Sequence, residues 1–284
     1  MRTTILAVSA GLAMTSFAAA DVVNHLNVSS PNYDFTSISE SSSTDMIGPM
    51  GYFRQPTTAA DSLVFNPQGF VATTPTNFSG GGDITDVQLN FNIMRRANAV
   101  ISSFVFRESG DYNLVGINPS TYVRVTCGIN ITVTETTTGP INAMLLQGTL
   151  VFTPIPNVGT SILPNGVEYH ATQDASAANW LGVGNFDLSA FLVANGVSGQ
   201  ATKVSIALDN TLIAVSPAGG VAFIAKKTTA GVVIDVIPAP SGLAVLGLGG
   251  VLSVRRRRRR PAVGWRRACA GRRRSAGSRR RRAC

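Results

Sequence analysis

Residues 122–134, YVRVTCGINITVT, decide the fold class of this chain. Val123, Val125, Cys127, Ile129, Ile131 and Val133 share one parity, and Arg124, Thr126, Asn130 and Thr132 share the other. A period of two is that of a strand, whose successive side chains point to opposite faces. One apolar face against one polar face belongs to an antiparallel sheet with a core on one side and water on the other. The pattern recurs at Asp86–Met94, with Val87, Leu89, Phe91 and Ile93 inward, and at Lys203–Asp209, with Val204, Ile206 and Leu208 inward. Ser62–Phe65, Ala99–Arg107, Gln147–Phe152, Val221–Lys226 and Gly231–Ile237 are further strands on the same grounds. Breaks rich in Gly, Pro and Asn separate them, at Gly80-Gly81-Gly82, Asn118-Pro119, Gly139-Pro140, Pro154 to Pro156 and Asn165-Gly166.

Helical periodicity is scarce. Asp187 can cap a short helix running to Asn195, with Gly196 at its end, and residues 172–181 suggest another turn or two. The Ser-rich run SISESSSTD, residues 37–45, reads as a loop. Many half-buried strands are satisfied most economically by two sheets packed face to face. The expected fold is therefore all-β, an antiparallel, jelly-roll-like β-sandwich over residues 21–237, in one domain; a closed barrel satisfies the same alternation.

The 284 residues carry a formal charge of +9, but unevenly. Fifteen of the 24 Lys and Arg lie between Arg255 and Arg282, and one more is Arg2. Residues 21–254 keep the other eight against all 15 acidic residues, a net charge of −7. The body is acidic, which argues against nucleic acid as its partner.

The N-terminus, MRTTILAVSAGLAMTSFAAADVV, has one Arg, an apolar run from Ile5 to Ala13, and small residues leading to Ala18-Ala19-Ala20. That is the three-part pattern of a secretory signal peptide over residues 1–20, with Ala18 and Ala20 at the cleavage site. At the other end stands VIPAPSGLAVLGLGGVLSVRRRRRR. Pro238 and Pro240 stop the preceding strand, since proline donates no ladder hydrogen bond. The uncharged segment Ser241–Val254 follows, and then six arginines, Arg255, Arg256 and Arg257 first among them. Fourteen helical residues span about 21 Å, short of a ~30 Å hydrocarbon core. Gly247, Gly249 and Gly250 permit close approach by a partner helix, and the arginines favour the cytoplasmic side.

This order, Pro-x-Pro, an apolar stretch with LGLGG, then an arginine cluster, resembles the PEP-CTERM sorting signal over residues 238–260, about 23 of the 284. The resemblance implies Sec-dependent export, transient contact with the inner membrane, and processing by an exosortase, a membrane-embedded cysteine transpeptidase. It departs from the family pattern at Ala239, where the family name implies Glu. The runs NFDLSAFL (185–192), VSIALDNTLIA (204–214), AFIAKK (222–227) and GVVIDV (231–236) also resemble the end of the choice-of-anchor domains, extracellular β-domains that precede such signals. Residues 261–284 hold nine Arg, five Ala and two Cys, with every residue type encodable by GC-rich codons. They read as a basic low-complexity tail of frame-shifted or read-through origin.

Little in the body suggests chemistry. His170, near Glu168 and Asp174, is the better placed of two histidines, but no G-x-S-x-G context frames a nucleophile. Cys127 reads as a small buried hydrophobe, and one cysteine in the body allows no internal disulfide and no Cys-based zinc site. Asp83 with Asp86, and Glu108 with Asp111, fall at loop positions suited to calcium but lack a patterned ligand set. Tyr122, outward on its strand, and Trp180, in a loop-like segment, are the aromatics available to a sugar. No catalytic, metal or cofactor site is assigned. The expected function is structural or adhesive, at the cell surface or in an extracellular matrix, with polysaccharide as a companion. The alternative is a secreted carbohydrate-binding protein or hydrolase whose site the sequence does not display.

Overall fold

The computed structural model describes residues 21–238 apart from Ala97 and residues 158–160. The signal peptide with Ala18 and Ala20, the sorting segment from Ala239 through Pro240, Gly247, Gly249, Gly250, Arg255, Arg256 and Arg257, and the basic tail lie outside the described residues.

The chain opens with β1 (Asp21–Asn24), β2 (Val28–Ser29), β3 (Tyr33–Ser42), β4 (Thr57–Ala59), β5 (Ser62–Phe65) and β6 (Val71–Thr73). Three long strands follow, β7 (Gly81–Arg95), β8 (Ile101–Val115) and β9 (Tyr122–Thr136). Next come β10 (Gly139–Thr149), β11 (Val151–Thr153), β12 (Ile162–Leu163), β13 (Gly166–His170) and β14 (Ala177–Asp187). Helix α1 (Leu188–Ala194), the one helix among the described residues, leads to β15 (Ala201–Ser216), β16 (Val221–Lys226) and β17 (Val232–Pro238).

Every pairing is antiparallel, in two groups. In the first, β15 lies between β7 and β9. From β7 the ladder passes to β3, which carries β1 and β2. The far edge of β9 is shared by β10 and β13, with β12 beyond β13. In the second group β8 is central, with β14 and then β11 on one side. Its other edge is shared by β17 and β16, which lead to β5 with β4, and to β6. The groups join in one ladder step, Ala201 opposite Ile101, so the strands form a single curled sheet.

Alternation sets the register. Val204, Ile206, Leu208, Leu212 and Ala214 of β15 stand opposite Val133, Ile131, Ile129, Val125 and Val123 of β9, all buried. A slip of one residue would turn the whole apolar set to water, so this pairing is strongly specified. Residues of both groups share one core, including Phe35, Phe91 and Cys127 from the first and Phe104, Tyr112 and Trp180 from the second.

The helix forms where its cap predicts. The Asp187 carboxylate accepts a hydrogen bond from the Ala190 N–H at 2.8 Å, Leu188 and Leu192 are buried, and Gly196 follows at φ +70°. Several local expectations fail. Gly139-Pro140 is not a break but opens β10, and Gln147–Phe152 is not one strand, since β10 ends at Thr149 and β11 starts at Val151. Residues 37–42 belong to β3 and not to a loop, because an irregularity between Thr36 and Ser39, with Ser37 at φ 52°, resets the parity and hides the alternation. Gly81 and Gly82 begin β7 and do not break it. Residues 177–181 form no helical turn: they open β14, whose inward positions Trp180, Gly182, Gly184 and Phe186 mix glycine with large aromatics. A methyl added at 182 would press on Phe152 and Leu150, and one at 184 on Leu150 and Phe186, so these glycines make room for the rings.

Candidate functional site

Three inward positions carry polar groups where the alternation leads to apolar ones. Glu108 follows Phe104 and Phe106 on the buried face of β8. Asn210 follows Ile206 and Leu208 on β15, and Lys226 follows Ala222 and Ile224 on β16. These strands bring the three side chains together. The Lys226 ammonium donates to Glu108 Oε2 at 2.7 Å and to Asn210 Oδ1 at 3.0 Å. All three residues are buried, with at most 4% of their surface exposed. Glu108 and Lys226 belong to the β8 group and Asn210 to the β15 group, so the contact ties the two groups through the core.

Aromatic rings close the remaining space. Lys226 Nζ lies 5.2 Å from the centre of the Phe70 ring and 5.5 Å from that of Trp180, within cation–π range. Trp180 stands opposite Gly110 across the β14–β8 ladder, and any side chain at Gly110 would collide with the indole ring. Cys127 is the residue directly opposite Asn210 on β9. Burial first, and the Glu108 carboxylate second, push its thiol well above the usual range. Among the described residues five buried side-chain polar atoms have no partner: Arg54 Nε, Glu108 Oε1, Asn210 Nδ2, Trp180 Nε1 and Tyr112 Oη. Buried polar atoms are rarely orphaned, and two of these, Glu108 Oε1 and Asn210 Nδ2, belong to this cluster, with Trp180 Nε1 on a ring that closes it.

The residues singled out from sequence take other places. Cys127 is buried as expected, but Asn210 and Glu108 make its surroundings polar. His170 ends β13, its Nδ1 3.0 Å from the Pro119 carbonyl and its Nε2 3.1 Å from Glu168, which also pairs with Arg124. Among the described residues no hydroxyl or thiol bonds its ring. His25 instead meets Glu40 at 2.6 Å, and Glu40 accepts from the Tyr52 and Phe53 N–H groups. Asp83 accepts from the Thr73 N–H, and Asp86 from Ser43 and Thr211, within β7 and its neighbours and not in loops. Glu108 and Asp111 lie within β8 and not in a loop, and Glu108 is in the core. Among the described residues no group of three or more His, Cys, Asp and Glu is placed to hold a metal ion. Tyr122 is half-buried against His170 and Arg124. Trp180 lies in β14, 1% exposed, and not in a loop.

An open cleft of about 590 Å³ lies beside the far end of β8, lined by Thr73, Asp111, Asn113, Asn179, Val221 and Phe223 among others. It offers the Asp111 carboxylate, two amides and the hydroxyls of Thr73 and Thr76 around the half-buried Phe223 ring, with the buried Tyr112 beneath. Among the described residues no helix is long and apolar enough to cross a membrane.

No protein-family model and no curated protein matches this chain. Among solved structures, the enzymatically active domain of bacteriophage CBA120 tailspike protein 4 aligns at 12% identity and a TM-score of 0.16, over 59% of this chain and 19% of that one. The xyloglucanase domain of NopAA, a type three effector from Sinorhizobium fredii, aligns at 10% identity and a TM-score of 0.21, over 76% and 98%. The VP2 subviral particle of infectious bursal disease virus aligns at 13% identity and a TM-score of 0.12, over 78% and 59%. This chain spans about a fifth of the tailspike chain. Likeness at this level is confined to β-strand character.

Proposed function

We propose that residues 21–238 close into a jelly-roll-like β-sandwich, are exported, and are sorted to the cell surface or extracellular matrix, where they act as a structural or adhesive module and not as an enzyme. The observation that carries this reading is the order of the C-terminal segment. β17 ends at Pro238, and the Pro-x-Pro, apolar, arginine sequence follows without a break. The sequence places the PEP-CTERM-like pattern directly after this last described strand, an order that supports the reading. Exosortase and the Sec machinery are the partners this implies, with extracellular polysaccharide as the surroundings.

Deleting Gly242–Leu252 tests the reading, since no other mature segment is apolar enough to hold a bilayer. Membrane retention of the precursor and surface display are both expected to vanish. Replacing Arg255–Arg260 by neutral residues is expected to impair orientation or processing, because arginines resist translocation. Removing Pro261–Cys284 is expected to change neither. Unaltered retention and surface display after the first deletion would contradict the proposal.

A second reading rests on the cleft beside β8. Its carboxylate, amides and half-buried ring suit a sugar, whose hydroxyls need hydrogen bonds and whose ring faces stack on aromatics. Asn113→Ala with Asn179→Ala is expected to abolish retention on a polysaccharide matrix if the cleft binds it, and to leave it unchanged otherwise.

A further inference from the structure

The Lys226, Asn210 and Glu108 cluster holds an amine, an amide and a carboxylate in contact, sealed from water. We propose that Lys226 and Asn210 become joined by an isopeptide bond that the folded chain forms unaided, with Glu108 carrying the protons.

Four observations converge on this reaction. The Lys226 nitrogen is 3.0 Å from Asn210 Oδ1, so the amide carbon is one bond further on. The same nitrogen is 2.7 Å from Glu108 Oε2, a base in contact with the proton it must take. Asn210 Nδ2, the leaving nitrogen, is buried and held by no hydrogen bond, and Glu108 Oε1 is equally free to serve it. Phe70 and Trp180 roof the nitrogen, excluding the water that would hydrate the amine or compete with it. Fixing the reactants in contact replaces a bimolecular encounter by an intramolecular one, which lowers the barrier to amide exchange.

The steps balance. Glu108 takes one proton from the Lys226 ammonium, leaving a neutral amine and a carboxylic acid. The amine lone pair attacks Asn210 Cγ, forming the Nζ–Cγ bond and pushing an electron pair onto Oδ1. Glu108 relays a second amine proton to Nδ2. The carbonyl reforms as the Cγ–Nδ2 bond breaks, and ammonia departs. No oxidant, metal or cofactor takes part. Two buried ions are replaced by a neutral amide and a neutral acid, which removes the desolvation cost of an ion pair in the core. The bond links β15 to β16, and with them the two strand groups. This inference stands independently of where the protein is delivered.

The test is peptide mapping by mass spectrometry of the full chain purified from producing cells, digested after denaturation. Trypsin is expected not to cut after Lys226. Chymotrypsin, cutting after Phe223 and Leu212, is expected to leave the Asn210 and Lys226 fragments joined and lighter by one ammonia. Asn210→Ala and Lys226→Arg are each expected to abolish the linkage. Glu108→Gln is expected to lower the linked fraction at least tenfold, with Cys127 still shielded from thiol reagents as evidence of folding. A wild-type digest with Lys226 free overturns the bond, even if Asn210 has lost ammonia, since a succinimide also does that. A Glu108→Gln chain that is folded and as fully linked as wild type overturns the role of Glu108. A Glu108→Gln chain that fails to fold leaves the decision to the wild-type digest, which needs no variant.

Discussion

Cys127 illustrates what one inward position can and cannot reveal. Its neighbours along β9 are aliphatic, and the thiol is fully buried, as the alternation implies. Thiol reagents are therefore expected to label the native protein slowly and the unfolded one quickly; rapid native labelling would mean that the faces of β9 are exchanged. Because burial raises the thiol pKa in the folded state, the native chain keeps its proton at a pH where the unfolded chain, near ~8.5, has lost it. The unfolded state then binds fewer protons, so stability falls as pH rises above that value. Melting curves between pH 8 and 10 are expected to decline more steeply in wild type than in Cys127→Ala, in which the buried phenols of Tyr33, Tyr112 and Tyr169, also raised by burial, still contribute near pH 10. Cys127→Asp is expected to cost several kcal/mol, as an unpaired buried carboxyl does. Across the ladder, Gly110→Ala is expected to lose ~1–3 kcal/mol or more by overpacking against the Ala225 carbonyl and the Trp180 ring, measurable by chemical denaturation.

The strands that alternate without interruption were legible. Ser62–Phe65 and Val221–Lys226 match β5 and β16 end to end, and the strongest runs lie within β7, β9 and β15. Elements were lost where parity breaks or where glycine replaces a side chain: β3 hides behind the irregularity at Ser37, and β14 spends two inward positions on glycine. The polar cluster left a signal that went unread, since Glu108, Asn210 and Lys226 each keep the inward parity of an apolar strand. Sequence alone does not show that three such positions, far apart in the chain, meet; only the ladders place them together. The helix was legible from its cap, so Asp187→Ala is expected to destabilise the domain by about 1 kcal/mol. A melting temperature unchanged by this substitution would mean that packing of Leu188 and Leu192, and not the cap, holds α1.

The whole molecule divides by charge and by hydropathy. A body of net charge −7 stands between an apolar, near-neutral start and an arginine-rich end. The β-domain completes its ladders between Asp21 and Pro238, and its core draws on both strand groups. Such a domain can be delivered and released as a unit if the flanking segments act as signals alone. The most direct test is terminal sequencing and intact mass of the protein recovered from the surface of producing cells. The account predicts a chain that begins at Asp21, or within a residue or two of it, and that has lost the arginine cluster beyond Val254. Surface protein that retains both Met1 and Arg255–Arg260 would contradict it.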